Sequence, residues 1–464
     1  MTFSEFYEQN KARFLDEFKE FLRIRSISAD SKCEPEIKKA QKWLKAKLEK
    51  MGFVNIKLLQ QESKEGNEVL VAQRIFNKEG KTILVYGHYD VQPVEPLDEW
   101  RTDPFEPEIN NGRIYGRGAN DNKGQIMANL IALEYYIAQV KSHKYNIKIF
   151  FEGEEETGGA TTEAILKEHR YDEFINSDYA YIADTTWISE DKPTVIYALR
   201  GILYYDLILQ NAAFDSHSGT YGNLIMNPAN LIGRIIFKLK DVLRNRVRIP
   251  KFYKDVRRSS NAEIEQINAV SSTWQEIRDE VNAECTTPYL RKGETFSPLS
   301  LRGLRPSLDI HGIASGYSEI GGIKTIIPAK ATAKFSVRLV ANQKCKEIDK
   351  LIRKYISKLI PKGIKYELNL LASAEPYIME PNEPILQEFV ESYNTVCGEN
   401  TVLVPEGGSI GLVNTLADEY NIRTIITGYG LPDDKLHSPN EKFDLRQLEV
   451  GANVLYKFLT YKNG

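Results

Sequence analysis

Cysteine and histidine are both scarce in this 464-residue chain. The four cysteines, at 33, 285, 345 and 397, stand far apart with no paired spacing. That pattern excludes a CxxC-type metal cluster and fits reduced thiols better than a disulfide frame. Histidine occurs only at 88, 143, 169, 217, 311 and 437, so any imidazole metal site must draw on these six. No sign of charge predominates: 61 basic and 64 acidic residues leave a formal net charge of −3. A basic footprint for nucleic acid is therefore lacking. No uninterrupted apolar run approaches the roughly 20 residues of a membrane span, and the opening Met-Thr-Phe-Ser-Glu-Phe-Tyr-Glu has no basic stretch leading into an apolar one. Repeats and low-complexity tracts are also lacking. These absences lead us to expect a cytoplasmic globular protein that engages neither nucleic acid nor membrane, with two or three domains of about 150 residues each.

What is present centres on Thr82-Ile-Leu-Val-Tyr-Gly-His88-Tyr-Asp90-Val-Gln-Pro. The unalternating apolar run Ile83–Tyr86 predicts a strand buried on both faces, as in a largely parallel sheet. Side chains at i and i+2 point the same way, so His88 and Asp90 leave the carboxyl end of that strand together, where open α/β sheets bind ligands. An imidazole beside a carboxylate suits a metal site, one ring nitrogen on the ion and the other on the acid. The same pair also serves simply to cap a loop.

Helices are predicted at 3–25, 34–51 and 123–141, and strands at 54–60, 68–76, 82–87, 146–152 and 178–183. Strand and helix alternate here as in a doubly wound α/β layer. Residues 91–118, rich in Pro, Asp and Gly, form a long shaped loop of the kind that carries function. From about residue 203 the pattern changes. An alternating strand at 203–210, a helix at 227–241, strands at 306–316, 331–340 and 363–370 and a helix at 346–359 predict an α+β sandwich. The segment 244–300 is charged and poorly patterned. After Pro384 the α/β pattern resumes with a helix at 385–396, a Gly-rich turn at 407–411, a strand at 422–427 and a final helix at 442–461. The expected organisation is a catalytic domain of 1–202 and 381–464, split around an inserted domain of 203–380.

Four further groups stand at strand ends or adjoining loops. Gly116-Arg-Gly-Ala-Asn-Asp121-Asn-Lys-Gly124 precedes the helix at 123–141; Asp121 suits a carboxylate bridging two ions, although taken alone an Asp or Asn there reads first as an N-cap. Phe151-Glu152-Gly-Glu154-Glu155-Glu156-Thr-Gly-Gly159 crowds carboxylates that repel unless a cation neutralises them, although solvated acidic loops are common. One such acid can bind metal while its neighbour moves protons. Asp184 ends the strand at 178–183, and His437 lies in Leu436-His-Ser-Pro-Asn-Glu441. One His and two carboxylates per ion, one carboxylate shared, would satisfy two divalent cations.

The stretches around 87–93, 116–124, 151–159, 184, 215–222, 325–338, 407–410 and 436–441 together resemble the dinuclear metallopeptidases. That family includes carboxypeptidases, acetylornithine deacetylase and desuccinylases. Gly-His-Tyr-Asp-Val-Gln-Pro, Phe-Asp-Ser-His217-Ser-Gly and Lys324-Thr-Ile-Ile-Pro-Ala-Lys are most similar to its non-specific dipeptidase and carnosinase branch. The resemblance implies that His88, Asp121 and Asp184 hold one ion, and Asp121, Glu156 and His437 the other, with zinc or manganese at each. Asp90 would orient His88, and Glu155 would be the general base. The Asp121–Asn122 peptide bond would be cis. In the inserted domain, His217 would stabilise the oxyanion in a partner subunit, which implies a homodimer through that domain. Arg338 would hold the substrate's carboxylate, with Thr325, Gly408 and Ser409 lining the same end. The chain departs from the family pattern at Gly411, at Ser315-Gly316-Tyr317 and at Glu319, and matches it least over 244–300. His143, His169 and His311 have no motif around them and are read as structural or surface residues. The expected activity is hydrolysis of dipeptides with a free carboxyl terminus, such as Xaa-Gly. The rivals are an N-acyl-amino-acid deacylase or desuccinylase with the same ions, and a non-catalytic binding homologue.

Overall fold

A computed structural model describes residues 1–285 and 296–461. Residues 286–295, part of the unpatterned segment 244–300, lie outside the described residues, as do 462–464. The chain forms two compact units: Met1–Tyr197 with Met379–Val404 and Gly411–Gly464, and Ala198–Ile378 with Pro405–Ile410.

The first unit is built on a mixed sheet with a parallel centre. Seven of its strands run in the order Val54–Leu59, Val69–Arg74, Tyr145–Glu152, Lys81–His88, Tyr179–Ala183, Arg423–Thr427 and Thr194–Leu199. The four middle strands pair in parallel, while the outer ones pair antiparallel. Every residue from Ile83 to His88 is fully buried, because strands of Tyr145–Glu152 and Tyr179–Ala183 flank it and helices cover the sheet. Each such aliphatic side chain contributes about 1.5–3 kcal/mol relative to exposure. Helices Lys123–Gln139, Pro384–Cys397 and Leu445–Leu459 pack in one group, and Ala160–Glu168 packs on Gly411–Tyr420. Gly87 and Gly124 make close approaches possible. A Cβ on Gly87 would meet Ile126 Cγ1 at 2.5 Å, and one on Gly124 would meet the Ala119 carbonyl oxygen at 2.0 Å.

The second unit carries a four-stranded antiparallel sheet in the order Ser307–Ser315, Lys330–Leu339, Gly201–Gln210 and Lys365–Ala374. Buried and half-buried residues alternate strictly along Gly201–Gln210. Its inward side chains, Leu203, Tyr205, Leu207 and Leu209, pack in one core with Leu231 and Ile235 of the helix Pro228–Leu239 and Ile348, Ile352 and Ile356 of Cys345–Leu359. This is a two-layer α+β sandwich.

Several elements differ from expectation. The last helix starts at Leu445, not 442, because Lys442–Asp444 pairs as a strand with Arg113–Tyr115 and the Asp444 side chain caps the helix by accepting from Arg446 N. Strand Thr194–Leu199 and helices Ala160–Glu168 and Gly411–Tyr420 had no counterpart in the sequence reading. Gly411 opens the last of these. The described part of 244–300 contains helices Asn261–Val270, Trp274–Glu280 and Pro298–Leu304, whose caps Ser260, Thr273 and Ser297 each accept a backbone N–H. Among the described residues no helix is long and apolar enough to cross a membrane.

Candidate metal centre

Parallel pairing brings three strand ends into register in the first unit. His88 is opposite Glu152, and Tyr86 is opposite Ile182, two residues before Asp184. At these carboxyl ends the chain delivers His88, the Glu152–Glu156 turn and Asp184 to one edge. The loops carrying Asp121 and His437 complete the group.

Asp121 is the centre of the constellation. One of its oxygens lies 2.9 Å from His88 Nε2 and the other 2.8 Å from His437 Nε2. Asp184 approaches the first imidazole at 3.5 Å, and Glu156 approaches the second at 3.3 Å. Two three-residue donor sets result, His88–Asp121–Asp184 and Asp121–Glu156–His437, whose ligand atoms lie within 4.8 Å of one another in each set. His437 is exposed and its backbone sits in the left-handed region, φ 59°, a sparsely populated conformation that tends to cluster at functional sites.

The surrounding contacts aim these groups. His88 Nδ1 donates to the Asp90 carbonyl at 3.1 Å and lies 3.4 Å from the Asp90 carboxylate. This leaves Nε2 as the nitrogen facing the carboxylates. Asp90 also accepts from the backbone N–H of Glu155 and of Glu156, at 3.3 and 3.2 Å, so one buried carboxylate sets both the imidazole and the acidic turn. The Asp121–Asn122 peptide bond is cis. Neither residue's side chain caps the following helix; Asn122 Nδ2 instead donates to Asp184 Oδ1 at 2.5 Å and to the Ala183 carbonyl at 2.8 Å. Gln92 Nε2 donates to Glu156 Oε2 at 2.8 Å. Glu154 accepts from Asn67 N and Thr161 N, and so shapes the loop.

The electrostatics fit cation binding. Burial pushes the Asp184 carboxyl up to about 6 and the Glu155 carboxyl up to about 8. Burial also raises Asp121, but hydrogen bonds from His437 and His88 more than reverse this and hold it below the usual carboxylate range. Hydrogen bonds to Asp121 and Glu156 push His437 up to about 10, and neighbouring carboxylates outweigh burial to raise His88 as well. Crowded carboxylates thus demand positive charge at both imidazole Nε2 positions, and divalent ions bound there would displace those protons. Glu156 Oε1 is buried without a hydrogen-bond partner, as an oxygen reserved for a ligand would be. The residues therefore fit two ions. His, Asp and Glu donors without thiolate suit borderline to hard cations such as zinc or manganese.

In the second unit, Arg338 Nη1 donates to Ser409 Oγ at 3.0 Å. The Ser409 hydroxyl donates to the Arg200 carbonyl. Arg200 Nε donates to the Gly407 carbonyl at 2.9 Å, and its backbone N–H donates to the Gly408 carbonyl at 3.0 Å. Burial and the charge of Arg338 push the Arg200 guanidinium down to about 10, so two like charges share a partly buried location suited to an anion. Elsewhere in this unit, Ser216–His217 pairs with Ile326–Ile327, and the Thr325 carbonyl accepts from Ser218 N. His217 is exposed, and its Nδ1 accepts from Gly219 N at 3.1 Å. With Nδ1 accepting, Nε2 is the ring nitrogen left to donate.

The structure brings together His88, Asp90, Asp121, Glu155, Glu156, Asp184 and His437 in one unit. In the other it joins Arg338 to Ser409, and Thr325 to the segment of His217. Gln92, Asn122, Arg200, Arg117 and Glu441 were not singled out from sequence, although Gln92, Asn122, Arg117 and Glu441 lie inside the quoted motifs.

Residues 84–461 match the model of peptidase family M20/M25/M40. The chain is 28% identical to the Cys-Gly metallodipeptidase of Candida albicans, covering 98% of this chain and 95% of that protein. It is 29% identical to the human Beta-Ala-His dipeptidase over 81% of this chain and 74% of that one. An M20 family metallo-carboxypeptidase from Sulfolobus solfataricus superposes with a TM-score of 0.82 at 29% identity, over 97% and 98% of the two chains. With this match across most of its length and the paired His–carboxylate sets at its strand ends, the chain belongs to peptidase family M20/M25/M40.

Proposed function

We propose that this chain is a two-metal dipeptidase that hydrolyses short peptides bearing a free carboxyl terminus, such as Xaa-Gly. The observation that carries the reading is Asp121, one oxygen facing each of two imidazoles that are backed by Asp184 and Glu156. Zn2+ or Mn2+ held by these two sets would supply Lewis acidity for the peptide carbonyl and a water acidified towards neutrality. Glu155, on the acidic turn beside both donor sets, takes the water's proton and returns it to the leaving amine. Asp90 keeps His88 and the Glu155–Glu156 turn in place. Arg338, aimed by the Ser409 hydroxyl, pairs with the substrate's carboxylate, a task suited to a guanidinium fork; Thr325 and Gly408 belong to the same end of the substrate. His217, with Nε2–H as donor, supports the developing oxyanion in the partner subunit of a homodimer formed through the inserted domain.

An N-acyl-amino-acid deacylase would use the same ions and base. Two of the relatives described above are named for dipeptide cleavage, so the dipeptidase reading is favoured. A non-catalytic homologue would be expected to lack a ligand or the base, and the chain retains every residue proposed here for those roles. Cytoplasmic residence belongs to the same proposal, supported by four scattered cysteines. Hydrolysis of Ala-Gly, Cys-Gly, β-Ala-His and N-acetyl amino acids, with zinc and with manganese, tests the reading. Rapid dipeptide cleavage with inert acetyl compounds is expected, and the reverse pattern would make the protein a deacylase.

A further inference from the structure

Glu441 is fully buried four residues after His437, and its carboxylate takes part in no metal set. Each of its oxygens accepts two hydrogen bonds. Oε2 takes Arg117 Nη1 at 2.8 Å and Gly118 N at 2.9 Å; Oε1 takes Asn120 N at 3.0 Å and Asp121 N at 3.1 Å. The Glu441 carbonyl also accepts from Gly116 N at 3.0 Å. Arg117 is itself buried, donates Nη2 to the Pro93 carbonyl at 2.9 Å and lies over the Trp100 ring at 5.4 Å. One ion pair thus ties the loop of Asp121 to the segment of His437 and to the chain just past His88 and Asp90. The Asp121 loop and the segment of Glu441 are more than three hundred residues apart in sequence. A buried pair costs desolvation unless its remaining lone pairs and protons are satisfied; here all four bonds to the Glu441 carboxylate come from the loop that carries the bridging carboxylate, while Arg117 Nε is buried without a hydrogen-bond partner.

We infer that Glu441, through Arg117, is a positioning residue for the metal centre. It holds the Asp121 loop in the two-ion geometry before any cation arrives, so that the chain and not the ion sets where the two carboxylate oxygens point. The inference rests on the two-metal reading above. Groups that orient metal ligands commonly change metal affinity by about 10–100-fold when altered. The test is competition of the purified protein with a chromogenic chelator for Zn2+, alongside thermal unfolding of the metal-free protein. Glu441→Gln keeps the shape but removes the charge facing Arg117; Arg117→Lys keeps the charge but loses the fork and the contact to Pro93. Zn2+ affinity is expected to fall about 10–100-fold in Glu441→Gln and by a smaller factor in Arg117→Lys, including at whichever variant folds less perturbed. A variant that unfolds earlier yet binds Zn2+ with wild-type affinity would overturn the inference, leaving a purely structural brace. Amide exchange of the wild-type protein gives an answer that needs no variant. The amides of 118, 120 and 121 are expected to be protected without Zn2+ and little changed by it; free exchange until Zn2+ is added would overturn the inference. Wild-type protein that binds no Zn2+ would instead overturn the two-metal reading itself.

Discussion

Replacing Asp90 by asparagine perturbs the site without removing any group assigned to a metal. In the native protein, Asp90 Oδ1 faces Glu155 N at 3.3 Å and lies 3.4 Å from His88 Nδ1, while Oδ2 faces Glu156 N at 3.2 Å. All three partners are donors. Asparagine offers one acceptor oxygen and one NH2, so either orientation sets a donor against at least one backbone N–H. The His88 ring retains the Asp90 carbonyl at 3.1 Å, so the main loss falls on the acidic turn. A buried donor left unsatisfied costs about 1–3 kcal/mol, equivalent to about 5- to 150-fold in the population of the correctly set turn. We expect Asp90→Asn to lower kcat/KM for a dipeptide by about 10–100-fold at saturating metal, and to weaken metal binding by a comparable factor. Release of the free amine measures the first, and chelator competition the second. Values within twofold of wild type in both would refute the role given to this carboxylate.

Glu155→Gln should retain both ions yet lose about 100- to 10,000-fold in turnover, the contribution expected of a general base; metal analysis with steady-state kinetics checks this, and surviving activity would mean that the base is another group. His217→Ala should lower kcat while leaving metal content unchanged, and mixing it with Glu155→Gln should regain activity through mixed dimers. Confirmed mixed dimers with no such recovery would contradict supply from the partner subunit. Arg338→Ala should raise KM for dipeptides by at least about tenfold while affecting the matching carboxamides little; equal losses on both substrates would remove the carboxylate role.

How far each feature could be read from sequence depends on whether its cause is local. The buried strand ending in His88 announces itself through an unbroken apolar run, and Asp90 follows from the two-residue period of that strand. The inserted sandwich shows in the alternation of Leu203–Gln210, which the structure repeats as buried and half-buried residues. Helix Trp274–Glu280 also carried a local signal, the Thr273–Glu276 capping box, but it was obscured by the charge around it. By contrast, Glu441 reads locally as one more loop acid after His437. Its work depends on Arg117, Gly118, Asn120 and Asp121, over three hundred residues earlier. Asn122 likewise looks like a helix cap, yet its side chain turns to Asp184, 62 residues on. Arg200 gains meaning only beside Arg338 and the Gly407–Ser409 loop. Periodicity reveals faces and strand ends; it cannot reveal which distant backbone donors a buried side chain will satisfy.

The central claim, a paired centre sharing Asp121, is tested most directly by titrating metal-free protein with Mn2+ while following dipeptide hydrolysis and bound metal together. Two ions per chain should bind, with most activity appearing as the second is taken up, and Asp121→Ala should abolish tight binding of both. Full activity after a single equivalent, or two ions bound tightly by Asp121→Ala, would contradict the account.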